Sequence, residues 1–333
     1  MIDWAPRLGS FLQRELGVDG PLHVERILGG QSNPTWFVDA GDRRLVMRMQ
    51  PHGELLPSAH AVDREFRVMR ALEGSSVPVP RVLAFSGDRS IVGTPFYVME
   101  RVDGRIFSDS ALAGVTPQER RAMYRSAAQT LAALHRVDWN ARGLADYGKH
   151  SDYFARQLRR WSKQWEGSRL REIPMLERLI AWLPAHIPPE NPAAIAHGDY
   201  RIGNLIFDPA LPKVNAVLDW ELSTLGDPLA DVGYFCMLYH IGAAEYGGVC
   251  DLNLERLGIP SEEELVEEYR RAFGGDVRLE PFHVAFALFR FAVIFVGIEA
   301  RAQQGNAADQ ATAQRVAGFA DRFAERACEL LGV

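Results

Sequence analysis

The 333 residues carry 47% hydrophobic and 24% charged side chains, the mix of a chain that buries a core rather than one that stays unfolded. That length is too great for one compact core of ordinary size and suits two packed lobes. Lys and Arg total 37 against 43 Asp and Glu, a formal net charge of −6, which argues against a nucleic-acid partner because phosphate backbones are met by basic surfaces.

Three cysteines, Cys236, Cys250 and Cys328, are too few and too scattered for a disulfide framework or a zinc site, so a reducing, cytoplasmic setting is expected. The first residues, Met1-Ile2-Asp3-Trp4, lack the basic-then-apolar layout of a signal peptide. The most apolar stretch, residues 284–298, is shorter than a bilayer span and holds Arg290 near its middle. A buried core helix is expected there, with no membrane partner.

In chain order, segments 23–30, 35–39 and 43–49 are short, β-rich runs separated by Gly, Asn and Asp, as hairpins require. Residues 61–72 then place Val62, Phe66, Met69 and Leu72 at helical spacing. Pro78-Val79-Pro80 ends that helix, and 81–85 and 95–101 read as two further strands. From about residue 116 the pattern turns helical, over 117–136, 152–165, 172–186, 262–273, 281–301 and 309–331, interrupted at 194–219 by Gly, Pro and short β-rich runs. No internal repeat or low-complexity linker divides the chain. The lobes are expected to join near 101–104, which gives residues 1–102 and 103–333 as the two units.

The interrupting segment holds His197-Gly198-Asp199-Tyr200-Arg201-Ile202-Gly203-Asn204, with Asp219 following a short hairpin. An aspartate, an asparagine five residues on and a second aspartate make the set that phosphoryl transfer needs. One carboxylate meets the attacking hydroxyl, while an amide oxygen and the other carboxylate hold Mg²⁺ against the phosphates. Mg²⁺ takes hard oxygen ligands and keeps several waters, so two protein ligands suffice. Asp and Asn also share ordinary polar turns, so the octet alone leaves both readings open.

The octet resembles the catalytic loop of protein kinases and, more closely, the His-Gly-Asp-x-x-x-x-Asn loop of the aminoglycoside phosphotransferase and choline kinase family. Leu218-Asp219-Trp220-Glu221 resembles that family's metal-binding strand end. The resemblance implies a two-lobed, protein-kinase-like α/β (α+β) fold, with an antiparallel N-lobe sheet plus one main helix and a mainly helical C-lobe. It implies ATP and Mg²⁺ as cofactors, Asp199 as catalytic base, and Asn204 and Asp219 as magnesium ligands. Arg201 stands where many protein kinases carry a phosphate-neutralising lysine and the small-molecule kinases often a histidine. It either fills that electrostatic role or braces the loop. Asp227, ahead of Pro228, reads as a helix N-cap, and the resemblance implies that Asp231 hydrogen-bonds the catalytic-loop backbone.

In the N-terminal half, Val46-Met47-Arg48 falls in order where kinases carry their Val-Ala-Ile-Lys strand. Arg48 is thus expected on the ATP phosphates, with Glu65 as its ion-pair partner; taken singly, such residues are usually surface charges. Gly29, Gly30 and Ser32, in Leu28-Gly29-Gly30-Gln31-Ser32-Asn33, are expected to lay N–H groups and a hydroxyl over the phosphates; an ordinary hairpin turn is the other reading. Tyr97-Val98-Met99-Glu100-Arg101-Val102 resembles the hinge, whose backbone from Glu100 to Val102 would meet adenine.

Residues 29–34 and 55–65 resemble the kinase-like domains fused to acyl-CoA dehydrogenases in animals, a likeness that runs from about Ile27 to the last helices. It implies a small hydroxylated acceptor of the hydroxyacyl-CoA kind. An aminoglycoside, a choline-like alcohol or a sugar is the alternative acceptor. A non-catalytic nucleotide-binding protein is the alternative of another class, against which the joint presence of Asp199, Asn204 and Asp219 argues. No dehydrogenase domain follows, so a stand-alone relative is expected, as a monomer or homodimer. Trp161 and Trp165, about one helical turn apart, either line an acceptor cleft or sit in the core. His52, His60 and His240 have no spacing that suggests a metal, and the acidic runs at 262–264 and 267–268 read as a solvated helix face.

Overall fold

The computed structural model describes residues 3–27, 33–51, 61–303, 316 and 318–333. It opens with a helix that the strand pattern of this region does not suggest, α1 (Ala5–Leu16), started by Pro6 in its first turn and stopped by Gly17 at φ +63°. Leu8, Phe11 and Leu12 are its buried stripe. Strands β1 (Leu22–Arg26), β2 (Thr35–Ala40) and β3 (Arg43–Met49) follow, then α2 (Val62–Leu72), β4 (Val82–Ser86), the one-turn α3 (Arg89–Val92) and β5 (Phe96–Glu100). The five strands form one sheet in the order β1-β2-β3-β5-β4, each neighbouring pair antiparallel.

The period of two along a strand decides what each face of this sheet does. Leu45, Met47 and Met49 of β3, with Phe96 and Val98 of β5, join the α1 stripe in one core. Val46, Tyr97 and Met99 point the other way, into the larger core shared with α2 and the helical part. Arg48 falls on that second face by the same alternation. The buried stripe of α2 there includes a carboxylate, Glu65, among Val62, Val68, Met69 and Leu72.

The second part runs α4 (Pro117–His135), α5 (Tyr153–Ser168), α6 (Pro174–Trp182), β6 (Ala194–Ala196), β7 (Leu205–Phe207), β8 (Val214–Val217) and β9 (Thr224–Gly226). Then come α7 (Leu229–Cys236), α8 (Ala243–Tyr246), α9 (Leu254–Leu257), α10 (Glu262–Phe273), α11 (Pro281–Gln303) and α12 (Phe319–Leu331). β6 pairs with β9 and β7 with β8, each antiparallel. Thr116 caps α4 by accepting from the Glu119 N–H, and Ser261 with Glu264 closes a capping box on α10. The sheet-plus-helical architecture expected from the sequence is the one present. The early part of the helix expected at 309–331 falls outside the described residues.

α11 corrects one argument made from the sequence. At 23 residues it is long and apolar enough to cross a bilayer by composition alone. Yet 83% of its apolar window is buried, against α5, α7 and α12. It is a core helix because of what packs on it, not because it is short. All three cysteines are free.

The segment after β5 is pinned to the β7–β8 hairpin. The Arg105 N–H donates to the Phe207 carbonyl at 2.8 Å, and the Phe207 N–H donates back at 2.9 Å. Gly104 makes this approach possible, since a Cβ there would lie 2.2 Å from the Phe207 oxygen. Gly104→Ala is expected to lower stability by about 1–3 kcal/mol through this overpacking, read as a drop in the urea midpoint. An unchanged midpoint would show that the contact is not tight.

Candidate active site

The β6–β7 loop carries the octet, and a buried carboxylate shapes it from below. Asp231 of α7, 1% exposed, accepts the His197 N–H at 2.6 Å and the Gly198 N–H at 2.8 Å. His135 of α4 adds a third contact at 3.2 Å, and the other ring nitrogen of His135 meets the Tyr269 hydroxyl at 2.8 Å. Burial alone would raise the Asp231 pKa, but His135, His197 and the Gly198 N–H outweigh it and hold the carboxyl below its usual range. Gly198 has φ +82°, and a Cβ there would lie 2.8 Å from the Leu222 carbonyl, so the position requires glycine.

Above this support, Asn204 gives its amide nitrogen to Asp199 twice, to the backbone oxygen at 2.8 Å and to Oδ2 at 2.7 Å. Tyr234 of α7 donates its hydroxyl to Oδ1 of the same carboxylate. Arg201 Nε stands 3.8 Å from Asp199 Oδ2, and its guanidinium lies over the Tyr246 ring, 5.1 Å from the centroid. Asp219, just after β8, sits in the left-handed region at φ +64°, ψ +64°, which is rare for a side chain other than glycine. Its neighbour Leu218 is tied to the loop on both sides, the N–H to the Asn204 carbonyl at 2.8 Å and the carbonyl to His197 Nε2 at 2.9 Å.

Arg48 joins the sheet to this hairpin. Its Nε is 3.0 Å from Glu65 Oε2, while its Nη2 lies 2.6 Å from Asp219 Oδ1 and 3.5 Å from Glu221 Oε2. Glu65 also accepts from the Tyr97 hydroxyl at 3.0 Å and from Asn33 Nδ2 at 2.5 Å. Burial pushes the Glu65 carboxyl up to about 7; Arg48 opposes this and the nearby Asp219 and Glu221 add to it. Burial works against the Arg48 charge, but Glu65, Tyr97, Asp219 and Glu221 hold its pKa above the ordinary value.

Arg48 and Asp219 line the mouth of a cavity of about 360 Å³ walled by Ile27, Phe37, Val46, Met99, Ile206 and Leu218, with Glu100, Arg101 and Val102 along one edge. The Glu100 and Arg101 N–H groups are engaged, with the carbonyls of Arg81 at 2.9 Å and Arg44 at 3.0 Å. The Val102 N–H donates to nothing among the described residues. An apolar slot with a free backbone donor at one end and a cation at the other suits a flat heterocycle carrying phosphates.

The same geometry leaves oxygens suited to a hard divalent cation. Asn204 spends its nitrogen on Asp199, so its Oδ1 is acceptor-only and without a partner among the described residues. Asp219 Oδ2 is likewise without one. Among the described residues no cluster of three or more His, Cys, Asp or Glu side chains forms a metal cage. A cation held by two protein oxygens together with phosphate oxygens and waters is Mg²⁺ chemistry.

Of the residues expected at the site, Arg48, Glu65, Asp199, Arg201, Asn204, Asp219, Glu100 and Val102 converge on the cavity and the loop beside it. Gly29, Gly30 and Ser32 lie outside the described residues, as do His52 and His60. Trp161 and Trp165 do not line a cleft: both are buried in the core. Asp227 bonds the Leu229 N–H at 2.8 Å as a cap would, and it also takes the Asn191 N–H at 2.8 Å. Sequence reasoning passed over Tyr234 and Tyr246, which meet the loop, and His135, which backs Asp231 beneath it, because distance along the chain hides these contacts.

Residues 23–279 match the profile of the phosphotransferase enzyme family. The chain is 44% identical over 329 residues to acyl-CoA dehydrogenase family member 10 of Mus musculus, covering 96% of this chain and 30% of that one. It is 40% identical over 318 residues to family member 11 of Gallus gallus, covering 93% and 40%. It thus spans only about a third of the length of these relatives. A solved protein of Ralstonia eutropha, provisionally described as an aminoglycoside phosphotransferase, is 41% identical with a TM-score of 0.87, covering 97% of this chain and 98% of that one. Spectinomycin phosphotransferase, solved with ADP and spectinomycin, shares the fold at 12% identity and a TM-score of 0.66, covering 99% of each.

The Glu65 pKa near 7 lies above its ordinary 4.5, so the fold favours the protonated acid. The stability this group contributes is fully present below pH 4.5 and is lost as the pH rises through 7. Relative to Glu65→Gln, the native protein is expected to lose on the order of 1–3 kcal/mol across that window. Urea denaturation of both proteins at stepped pH measures this, and a pH-independent difference would contradict it.

Proposed function

The chain belongs to the phosphotransferase enzyme family, and on that footing we propose that it moves the γ-phosphoryl group of ATP, with Mg²⁺, onto a hydroxyl of a small molecule of the hydroxyacyl-CoA kind. The observation that carries this reading is the Arg48 bridge: one guanidinium, on the wall of an apolar cavity, reaches both Glu65 and Asp219. Kinase chemistry needs a cation at that place to meet phosphates, a buried carboxylate to hold it, and a second carboxylate nearby for the metal. The kinship with acyl-CoA dehydrogenase family members 10 and 11 supports an acyl-CoA setting for the acceptor.

In this reading residues 1–102 supply the nucleotide sheet and 103–333 the catalytic and acceptor side. Adenine lies against Val46, Met99 and Leu218, facing the Val102 N–H. Arg48 turns from Asp219 toward the phosphates while Glu65 keeps hold of it. Asn204 Oδ1 and Asp219 Oδ2 would hold Mg²⁺, which would offset the charge on the phosphate oxygens. Asp199, fixed by Tyr234 and Asn204, accepts the proton of the acceptor hydroxyl. That oxygen bonds to the γ-phosphorus, the bond to the β–γ bridging oxygen breaks, and ADP leaves with the electron pair. Arg201, within 4 Å of Asp199, faces the charge that develops on the transferring group.

Asp199→Asn is the direct test. Turnover, followed as ADP release, is expected to fall by ~10²-fold or more, while calorimetry shows nucleotide affinity unchanged. Undiminished turnover would remove Asp199 from the reaction.

A further inference from the structure

The sequence leaves Arg201 two roles, bracing the loop or meeting a phosphate, and its contacts decide between them. Among the described residues its guanidinium donates no hydrogen bond, and its Nε is buried without a partner. The approach to Asp199 Oδ2, at 3.8 Å, is beyond hydrogen-bond reach. A brace would spend its donors on carbonyls, as Arg120 does on Ala111, Leu112, Val115 and Leu257. Arg201 keeps its donors free, with 35% of the side chain open to solvent.

Shape, rather than hydrogen bonding, keeps the guanidinium in place. Its carbon lies 5.1 Å from the centroid of the Tyr246 ring, a planar cation against an aromatic face. Gly203 leaves the space it occupies: a Cβ there would lie 2.7 Å from Arg201 Nη1 and 3.1 Å from Cζ. Gly203 is not in the left-handed region, so the neighbouring guanidinium, and not the turn, is what asks for glycine. Tyr246 is fixed in its turn. Its ring packs edge-on against Phe291 at 4.9 Å and Phe295 at 6.0 Å, both on α11. The preceding residue, Glu245, ion-pairs with Arg322 at 2.8 Å and with Arg326, both on α12.

We propose that Tyr246 and Gly203 are positioning residues for phosphoryl transfer: together they hold the Arg201 guanidinium beside Asp199 with its N–H groups free for the oxygens of the transferring group. This rests on the kinase reading above and adds to it the residues that aim the cation. A donor set fixed before the reaction needs no reordering when charge gathers on those oxygens. Because the guanidinium ends a flexible side chain, Gly203→Ala is expected to push it aside without unfolding the loop.

The test compares calorimetric affinity for Mg²⁺-ADP alone and with aluminium fluoride, which stands in for the transferring phosphoryl group and needs no acceptor. The native protein is expected to bind ADP at least ~10-fold more tightly with the fluoride. Gly203→Ala, Tyr246→Ala and Arg201→Gln are each expected to lose most of that gain while keeping the affinity for Mg²⁺-ADP, which also shows that they fold. Tyr246→Phe, which keeps the ring, is expected to retain it. Adding Gly203→Ala to Arg201→Gln is expected to change nothing further, because both act through one guanidinium. A gain that survives in Gly203→Ala or Tyr246→Ala overturns the role of that residue, and one that survives in Arg201→Gln overturns both. Loss of Mg²⁺-ADP affinity in Gly203→Ala and Tyr246→Ala alike marks a merely structural role and overturns the proposal too. A native protein that binds ADP but shows no gain does the same and leaves the kinase intact. A native protein that fails to bind Mg²⁺-ADP removes the kinase reading and this inference together.

Discussion

The guanidinium of Arg48 decides how the sheet meets the end of the β7–β8 hairpin. Alternation along β3 turns it away from the α1 core and toward α2, where Glu65 waits inside an otherwise apolar stripe. One edge of the guanidinium satisfies that carboxylate and another reaches Asp219, 171 residues further along the chain. Removing one member of a buried charge set leaves its partner uncompensated, at about 3–5 kcal/mol. The contact is therefore a demanding constraint on how the two parts approach, and it lies on the wall of the apolar cavity.

A second buried charge supports the loop that faces it. Asp231 binds two consecutive backbone N–H groups and is backed by His135 and Tyr269, so α4, α7 and α10 all bear on the position of Asp199. The left-handed backbone at Asp219 is tolerated because Leu218 is tied on both sides. Phosphoryl transfer asks the protein mainly for position and charge. This web of short, buried hydrogen bonds supplies both, and it keeps Asp199 and the oxygens of Asn204 and Asp219 from drifting.

The features legible in the sequence were those written locally. Asp199, Asn204 and Asp219 lie within 21 residues of one another, and β3 and α10 were read at the residues they occupy because their patterns are unbroken. α1 was missed because its signals, Pro6 and Gly17, also read as turn punctuation ahead of a β-rich region. α6 stops at Trp182 and tightens into a single 3₁₀ turn, Leu183–Ala185, around Pro184, short of the helix end expected at 186. The role of Tyr234 depends on a loop 35 residues away, and no period or propensity encodes that.

The central claim is transfer of a phosphoryl group to a hydroxyl at this site, and phosphorus NMR of the purified protein with Mg-ATP and a panel of hydroxylated acceptors tests it most directly. The account predicts a new phosphate-ester resonance growing with ADP for a hydroxyacyl-CoA, and none for an aminoglycoside. ATP that stays intact with every hydroxyacyl-CoA, or an ester that forms on the aminoglycoside instead, would contradict it.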